Sequence, residues 1–267
     1  MDTVTSADGT AIAYERTGEG PPLVLLHGTS RDRSHWARSL PGLARHATVY
    51  AVNRRGRGES GDADRYAIER EVEDVLAVID AVGEPVHLLG HSYGAIIALE
   101  VAMRTDRLRG LILYEPPIAV GADRVPDDLG ERLAAILATG DREVVLITFL
   151  QEGPRYPPEV IAARRALPTW PDALALAHTL PRETQTVHRY APDPARVAAV
   201  KASTLLLLGS QSPSFFRAAI EALHATLPQS EMVVLPGQHH NAMEAAPELF
   251  VETVHRFVGE QRDGEGR

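Results

Sequence analysis

The chain has 267 residues, of which 44% are hydrophobic, so it can bury a substantial core as one α/β domain with or without an insertion. Its net charge of -9, which no Lys/Arg cluster offsets, argues against a nucleic-acid partner, and the absence of cysteine excludes disulfides, thiolate metal sites and a cysteine nucleophile. No uncharged apolar run is long enough to span a membrane, and the N-terminal segment lacks the basic start and apolar centre of an export signal, so we expect a cytoplasmic protein without a membrane partner.

The first part of the chain predicts an opening β-hairpin followed by alternating strands and helices. Short apolar runs bounded by Gly and Pro indicate strands that are buried on both faces of a parallel sheet, and an apolar stripe at helical spacing indicates an amphipathic helix. Such alternation with short connections predicts a doubly wound sheet. The predicted strands cover residues 3–7, 11–16, 23–26, 48–52, 86–89 and 108–114, and the predicted helices cover residues 34–44, 68–82 and 92–103.

The alternation stops after residue 115 and resumes near residue 202. The intervening stretch shows helical patterns punctuated by prolines, and it is too apolar to be a solvated linker. We therefore predict a core of residues 1–115 and 202–267 with a helical insertion at 116–201. The insertion has predicted helices at 127–138, 141–151, 158–166 and 172–178, and the resumed core has strands at 204–208 and 231–235 and helices at 215–227 and 247–261.

An apolar strand runs through a G-x-S-x-G motif, from Gly90 to Gly94, directly into an apolar, alanine-rich helix. Glycine at both ends removes the side chains that would collide where a strand reverses sharply into a helix. The pattern therefore predicts a nucleophile elbow, with the Ser92 hydroxyl exposed on a strained turn. The same turn places the backbone N–H of Tyr93 at a helix N-terminus, where partial positive charge favours an oxyanion.

A serine hydroxyl is a weak nucleophile, which needs a base to take its proton and a third group to orient that base. Among the 11 histidines, His239 and His240 come directly after the last predicted strand. Because the loops that follow parallel strands gather at one edge of the sheet, we expect this loop and Ser92 to open onto the same rim. Both histidines are candidates for the base.

With these motifs in this order, the chain from about Val4 to Val258 resembles the α/β-hydrolase fold family. The resemblance implies a mostly parallel eight-stranded sheet, with a helical cap inserted between the sixth and seventh strands. It also implies that Ser92 is the nucleophile. His240 resembles the catalytic base more closely than His239 does, because the family histidine lies a few residues past a G-x-x-H turn.

The segment His27-Gly28-Thr29 resembles the oxyanion segment of the family. In that role Thr29 donates its backbone N–H to the oxyanion, alongside the N–H of Tyr93. We expect His27 itself to hydrogen-bond the backbone of the loop rather than to carry a proton.

The third member of the triad departs from the family pattern. In most relatives an acid follows the seventh strand, where this chain has Gln211, and glutamine cannot stabilise an imidazolium by charge. Some relatives take the acid from the end of the sixth strand, where this chain has Glu115. The order Ser92, Glu115, His240 matches the chain order of the family. Our hypothesis is that Glu115 orients His240, and the alternative is a strand-end carboxylate that anchors the start of the cap.

A dinucleotide site and a metal site are both disfavoured. The run from Gly56 to Gly61 fits G-x-G-x-x-G, but no helix begins there, and the segment from Asn53 to Ser60 instead resembles a structural loop of the family. No spacing of histidines and carboxylates resembles a metal-binding motif. We therefore expect a reaction without cofactor or metal.

Aromatic side chains of the insertion and the core rim predict an apolar pocket for a small-molecule substrate. We expect a serine hydrolase that cleaves an ester-like bond of a small, largely apolar substrate through an acyl-enzyme intermediate. The alternative, left open by Gln211, is a non-hydrolytic protein of the same fold that acts as a ligand receptor or as a cyclase or lyase. The natural substrate and the oligomeric state cannot be predicted. The candidate pocket residues are Trp36, Phe149, Trp170 and Phe215.

Overall fold

The computed structural model describes residues 1–121 and 125–264, with side chains as far as residue 260. Within these ranges, eight strands form one sheet in the order β1-β2-β4-β3-β5-β6-β7-β8. The pairs β1–β2 and β2–β4 are antiparallel and the remaining pairs are parallel, so the predicted fold class is confirmed. The strands are β1 (Asp2–Thr5), β2 (Ala11–Thr17), β3 (Pro22–Leu26), β4 (Thr48–Val52), β5 (Val86–His91), β6 (Leu108–Tyr114), β7 (Ser203–Gly209) and β8 (Ser230–Leu235).

Twelve α-helices and two short 3-10 helices accompany these strands in the described residues. None of the described helices combines the length and the hydrophobicity that crossing a membrane requires. The 3-10 helices cover Arg33–Trp36 and Ala177–Thr179, and the α-helices are α1 (Leu40–Leu43), α2 (Ile68–Val82), α3 (Tyr93–Ala102), α4 (Leu129–Ala138), α5 (Arg142–Glu152), α6 (Pro158–Arg165), α7 (Trp170–Ala175), α8 (Leu180–Arg189), α9 (Pro194–Ala198), α10 (Ser214–Thr226), α11 (Ala242–Ala245) and α12 (Pro247–Gly264).

The strand order reverses at the centre of the sheet. β4 lies on one side of β3, whereas β5, the next strand along the chain, lies on the other side. In open parallel sheets, ligands bind outside the carboxyl ends of the strands at such a switch point. Here, the switch point is flanked by the residues that follow β3 and β5, which include His27, Gly28 and Ser92.

The sheet buries side chains on both faces because successive residues of a strand point to opposite sides. Leu23 and Leu25 of β3 belong to a core cluster that also contains Trp36 and Phe250, whereas Val24, between them, is buried on the other face. Continuous apolar strands of this kind are typical of sheets covered by helices on both sides. Burial of both faces fixes the positions of the strand ends and of the loops that follow them.

The described chain divides into two compact units. The larger unit contains the sheet and comprises Met1–Gly28, Asp32–Pro117 and the chain from Pro192 onward, and the smaller unit comprises Thr29–Arg31 with Ile118–Ala191. The smaller, helical unit has its own hydrophobic cluster, built on α4, α5 and α7. The sequence prediction placed the boundaries at 115/116 and 201/202, whereas these units divide at 117/118 and 191/192.

The single helix predicted for residues 34–44 is wrong. The chain instead forms a 3-10 turn at Arg33–Trp36 and the four-residue helix α1, which begins at Leu40 with Pro41 in its first turn. Proline lacks an N–H, and its ring clashes with the carbonyl four residues earlier, which here belongs to Ala37. The helix must therefore restart at this point instead of continuing.

Two further helices, α8 and α9, were not predicted from the sequence. Pro181 and Pro194 both lie in the first turn of their helices. In the first turn, the missing N–H costs nothing because those groups have no partner within the helix. The two prolines are therefore compatible with the start of a helix.

His87 on β5 is a fully buried histidine that makes the fold sensitive to acid. Neither of its ring nitrogens has a hydrogen-bond partner within the described part of the chain, and the ring packs edge-on against Phe257. Burial, with a smaller contribution from the Arg109 cation, lowers the pKa of His87 to about 4 from 6.5. The unfolded chain therefore takes up a proton between pH 6.5 and 4 that the folded chain does not, so stability falls across this window.

We expect His87→Leu to reduce this loss of stability by about 3 kcal/mol at pH 4. The measurement is urea unfolding of the wild type and the variant at a series of pH values from 7.5 to 4 (about one unit apart), with the difference in free energy of unfolding plotted against pH. A difference that stays constant with pH would show that His87 does not cause the loss of stability in acid.

Candidate active site

Ser92 lies on the sharp turn between β5 and α3. Its backbone has φ 55° and ψ -122°, a conformation that L-residues rarely adopt, and its amide donates to the carbonyl of Tyr114 at 2.8 Å. The turn needs glycine at position 94, because a Cβ there would lie 2.4 Å from the carbonyl oxygen of Leu26. The predicted elbow is therefore present, with Ser92 as the residue preceding the first turn of α3.

Tyr93 is the first residue of α3, and its side chain is held in place by two contacts. The hydroxyl of Tyr93 lies 2.7 Å from the hydroxyl of Tyr66. Because the Tyr66 hydroxyl gives its single proton to Glu71, at 2.9 Å, the Tyr93 hydroxyl is the donor between the two tyrosines. The guanidinium of Arg54 lies over the Tyr93 ring at 4.7 Å, where a cation is attracted to the ring face. These contacts fix the residue whose N–H is the candidate oxyanion donor.

The loop after β3 approaches the elbow through Gly28. A Cβ at Gly28 would lie 2.9 Å from the Cβ of Ser92, so only glycine allows this approach. His27 donates from Nδ1 to the Gly28 carbonyl at 2.9 Å and accepts at Nε2 from the Arg54 amide at 3.3 Å. Both partners are backbone groups, as the sequence analysis expected. Burial and the nearby Arg54 lower the pKa of His27 well below its usual value. Thr29 is the next residue along the chain.

Glu115 and His240 form a buried pair. Nδ1 of His240 lies 2.5 Å from Oε2 of Glu115, and the other carboxylate oxygen accepts from the Gly209 amide at 2.6 Å. Glu115 is fully buried and His240 is almost fully buried, so water does not compete for these bonds. Glu115 directly follows β6 and has a backbone φ of 48°. Its carboxylate bridges the end of β7 to the loop after β8. The structure thus brings together the two residues that the sequence hypothesis paired.

The hydrogen bond to Glu115 determines which ring nitrogen of His240 carries the proton. A carboxylate accepts hydrogen bonds, so Nδ1 is the protonated nitrogen in the neutral ring, and Nε2 keeps its lone pair. Phe216 stacks on the ring at 4.3 Å, which restricts its rotation. His240 is therefore held with its free basic nitrogen on the side away from the carboxylate.

The two rival residues from the sequence analysis lie elsewhere. His239 is exposed, and its carbonyl accepts from the hydroxyl of Tyr114. Gln211 is also exposed, and its backbone amide donates to the carbonyl of Gln238 at 2.9 Å. The partner of the His240 ring is Glu115.

The chain matches the family model described as "Alpha/beta hydrolase family" over residues 23–253. The chain belongs to the alpha/beta hydrolase family. A solved alpha/beta hydrolase from Sphaerobacter thermophilus DSM 20745 is 39% identical, with a TM-score of 0.89 and coverage of 96% of this chain and 100% of the other. A thermophilic esterase from Thermogutta terrifontis is 26% identical, with a TM-score of 0.74 and coverage of 97% and 98%.

A curated relative of this hydrolase, the pimeloyl-[acyl-carrier protein] methyl ester esterase of Aeromonas hydrophila subsp. hydrophila, is 28% identical over 272 residues. That alignment covers 93% of this chain and 100% of the relative. The family and these relatives support hydrolase activity over the alternative of a non-hydrolytic protein.

The four aromatic residues predicted to line the pocket of the hydrolase have different surroundings. Trp36 is fully buried in the core of the larger unit, where it stacks near Phe250. Phe149 and Trp170 pack in the hydrophobic cluster of the helical unit, and Trp170 donates from its indole nitrogen to Glu143 at 3.3 Å. Phe215 is partly exposed. Its ring lies 4.1 Å from that of Phe216, the residue stacked on His240.

His91, the residue before the nucleophile, is not among the site residues that the sequence predicted. In the hydrolase structure, the His91 ring lies 4.4 Å from the His240 ring, and its Nε2 lies 2.7 Å from the His240 carbonyl oxygen. The available signal was the histidine within G-x-S-x-G, but the pattern does not show which residue its side chain contacts. For metals, no group of three or more His, Asp or Glu residues in the described ranges has a suitable arrangement.

Proposed function

We propose that the protein hydrolyses carboxylic esters of small, largely apolar molecules through an acyl-enzyme intermediate on Ser92. The observation that carries this proposal is the buried Glu115–His240 pair, joined at 2.5 Å, in a chain that also holds Ser92 on a strained nucleophile elbow. Members of the family with esterase names support the choice of ester substrates.

In the first half-reaction, Ser92 Oγ attacks the ester carbonyl carbon while Nε2 of His240 takes the hydroxyl proton. Glu115 stabilises the imidazolium that results, without taking the proton. The backbone N–H of Tyr93 stabilises the oxyanion at the positive end of α3. The second donor remains the sequence prediction, Thr29.

The tetrahedral intermediate then collapses to the acyl-enzyme. His240 returns its proton to the alkoxide, so the C–O bond of the ester breaks and a neutral alcohol leaves. In the second half-reaction, a water molecule attacks the acyl carbon and gives its proton to His240. The Ser92 ester bond breaks, the serine recovers its proton from the imidazolium, and a carboxylic acid is released.

The aromatic pair Phe215 and Phe216 supports an apolar substrate. Phe216 covers one face of His240, and Phe215 is partly exposed beside it, so an acyl or alkoxy chain near the base meets apolar surface. Burial of each methylene group contributes about 0.8 kcal/mol, or roughly fourfold in kcat/KM. We therefore expect kcat/KM to rise along a p-nitrophenyl series from acetate to butyrate to hexanoate.

The direct test is covalent labelling with a fluorophosphonate probe. We expect peptide mass spectrometry to locate the label on Ser92, and we expect Ser92→Ala to abolish it. Ser210→Ala, which removes an exposed serine after β7, is the control and should label like the wild type. An active ester hydrolase that is labelled at another residue, or that resists the probe, would contradict the proposed mechanism.

A further inference from the structure

His91 joins the nucleophile to the loop that carries the catalytic base. It is the last residue of β5 and directly precedes Ser92 in the chain, so its backbone forms the start of the elbow. Its side chain is buried, and Nε2 lies 2.7 Å from the backbone carbonyl oxygen of His240. A carbonyl only accepts hydrogen bonds, so Nε2 of His91 is the donor.

The His91 ring has little freedom to leave this position. Its ring centroid lies 5.1 Å from that of His35 and 4.4 Å from that of His240. Its Nδ1 lies close to Gly28, where an added Cβ would come within 3.1 Å. A side chain with such close neighbours holds its hydrogen bond at low entropic cost.

Tyr114 holds the same loop on either side of His240. Its hydroxyl donates to the carbonyl of His239 and accepts from the amide of Ala242 at 3.2 Å. Together with the bond from His91, these contacts fix three backbone groups within residues 239–242. All three bonds come from the last residues of β5 and β6.

We infer that His91 is a positioning residue, which sets the place of the His240 imidazole relative to Ser92 through the His240 carbonyl. This inference rests on the proposed function, in which His240 is the base. The Glu115 carboxylate fixes the rotation of the ring, whereas His91 fixes the main chain from which the ring projects. A shift of that main chain by about 1 Å would cost roughly 100-fold in rate.

The test compares two polar replacements that differ in reach. The amide nitrogen of Gln at position 91 can occupy the place of Nε2, whereas that of Asn matches Nδ1 and falls short of the His240 carbonyl. We expect His91→Asn to lower kcat for p-nitrophenyl butyrate about 100-fold with KM within about threefold of the wild type. We expect His91→Gln to recover most of the loss. His87→Leu, which replaces another buried histidine of β5, is the control and should keep wild-type kcat.

A second measurement does not depend on turnover. In proton NMR of the full-length chain, the Nδ1–H of His240 in its bond to Glu115 should give a resolved downfield resonance. We expect His91→Gln and His87→Leu to retain this resonance and His91→Asn to shift or broaden it. Equal kcat and an unshifted resonance in His91→Asn and His91→Gln would overturn the inference.

The two proposals can fail separately. If Ser92→Ala retains the hydrolytic activity, the proposed function fails, while the resonance still reports whether His91 positions the His240 loop. If Ser92→Ala is inactive but His91→Asn behaves as the wild type in both measurements, the proposed function stands and the role of His91 is rejected.

Discussion

Ser92→Ala should lower kcat for ester hydrolysis by about 10⁶-fold while leaving the fold intact. In the proposed mechanism the hydroxyl oxygen forms the bond of the acyl-enzyme, and alanine offers no replacement. The substitution removes a single oxygen atom and keeps the Cβ that lies against Gly28, so the elbow loses no packing. Steady-state kinetics with p-nitrophenyl butyrate measures the effect, and a pre-steady-state burst of p-nitrophenol should disappear with it.

The residual activity of Ser92→Ala is informative as well. The backbone donor at Tyr93 and the binding site remain, so we expect a rate above that of water alone. Ser210→Ala provides the matched control, with kcat unchanged. A kcat of Ser92→Ala within about tenfold of the wild-type kcat would mean that water is activated directly and that no acyl-enzyme forms.

Glu115→Gln should lower kcat by about 10⁴-fold. The neutral amide has nearly the same shape but cannot stabilise the imidazolium that forms on His240. Its NH₂ group can also donate to Nδ1, which would move the ring proton to Nε2 and leave the ring unable to accept the proton of Ser92. Because Gly209 can still donate to the amide oxygen, the loss should appear in kcat rather than in stability.

The control for this result is Gln211→Ala, at the position where most of the family has the acid. Gln211 is exposed and contacts the loop after β8 through its backbone, which alanine preserves. We expect kcat within about twofold of the wild type, because no charged or buried group is lost. The reverse outcome, with Gln211→Ala inactive and Glu115→Gln active, would reject Glu115 as the acid.

The sequence allowed prediction of those features that depend on local physical constraints. Apolar runs bounded by Gly and Pro predicted the parallel strands, and the Ser92 elbow followed from two glycines whose missing side chains the turn requires. The pairing of Glu115 with His240 was predicted from the family resemblance together with the topology, since the ends of parallel strands meet at one edge. The structure places these two residues in contact.

Two side-chain contacts of the His240 loop were not predicted. Nothing in the pattern around Ser92 shows that the His91 side chain reaches the His240 carbonyl or that the Tyr114 hydroxyl binds the same loop. Both contacts join residues far apart in the chain, and a change of rotamer would remove them. The short helix α1 and the proline-initiated α8 show a second limit, because proline ends one helix pattern and starts another according to context.

The location of the carboxylate has a consequence for substrate choice in the proposed mechanism. With Glu115 as the acid, no side chain of the connection between β7 and α10 takes part in the proton relay, although backbone amides of that connection bind the end of β8 and the loop after it. Substitutions of exposed side chains there can therefore change the surroundings of His240 without removing a group of the relay. Phe215 and Phe216, in the first turn of α10, are the residues through which such changes would alter which esters are accepted.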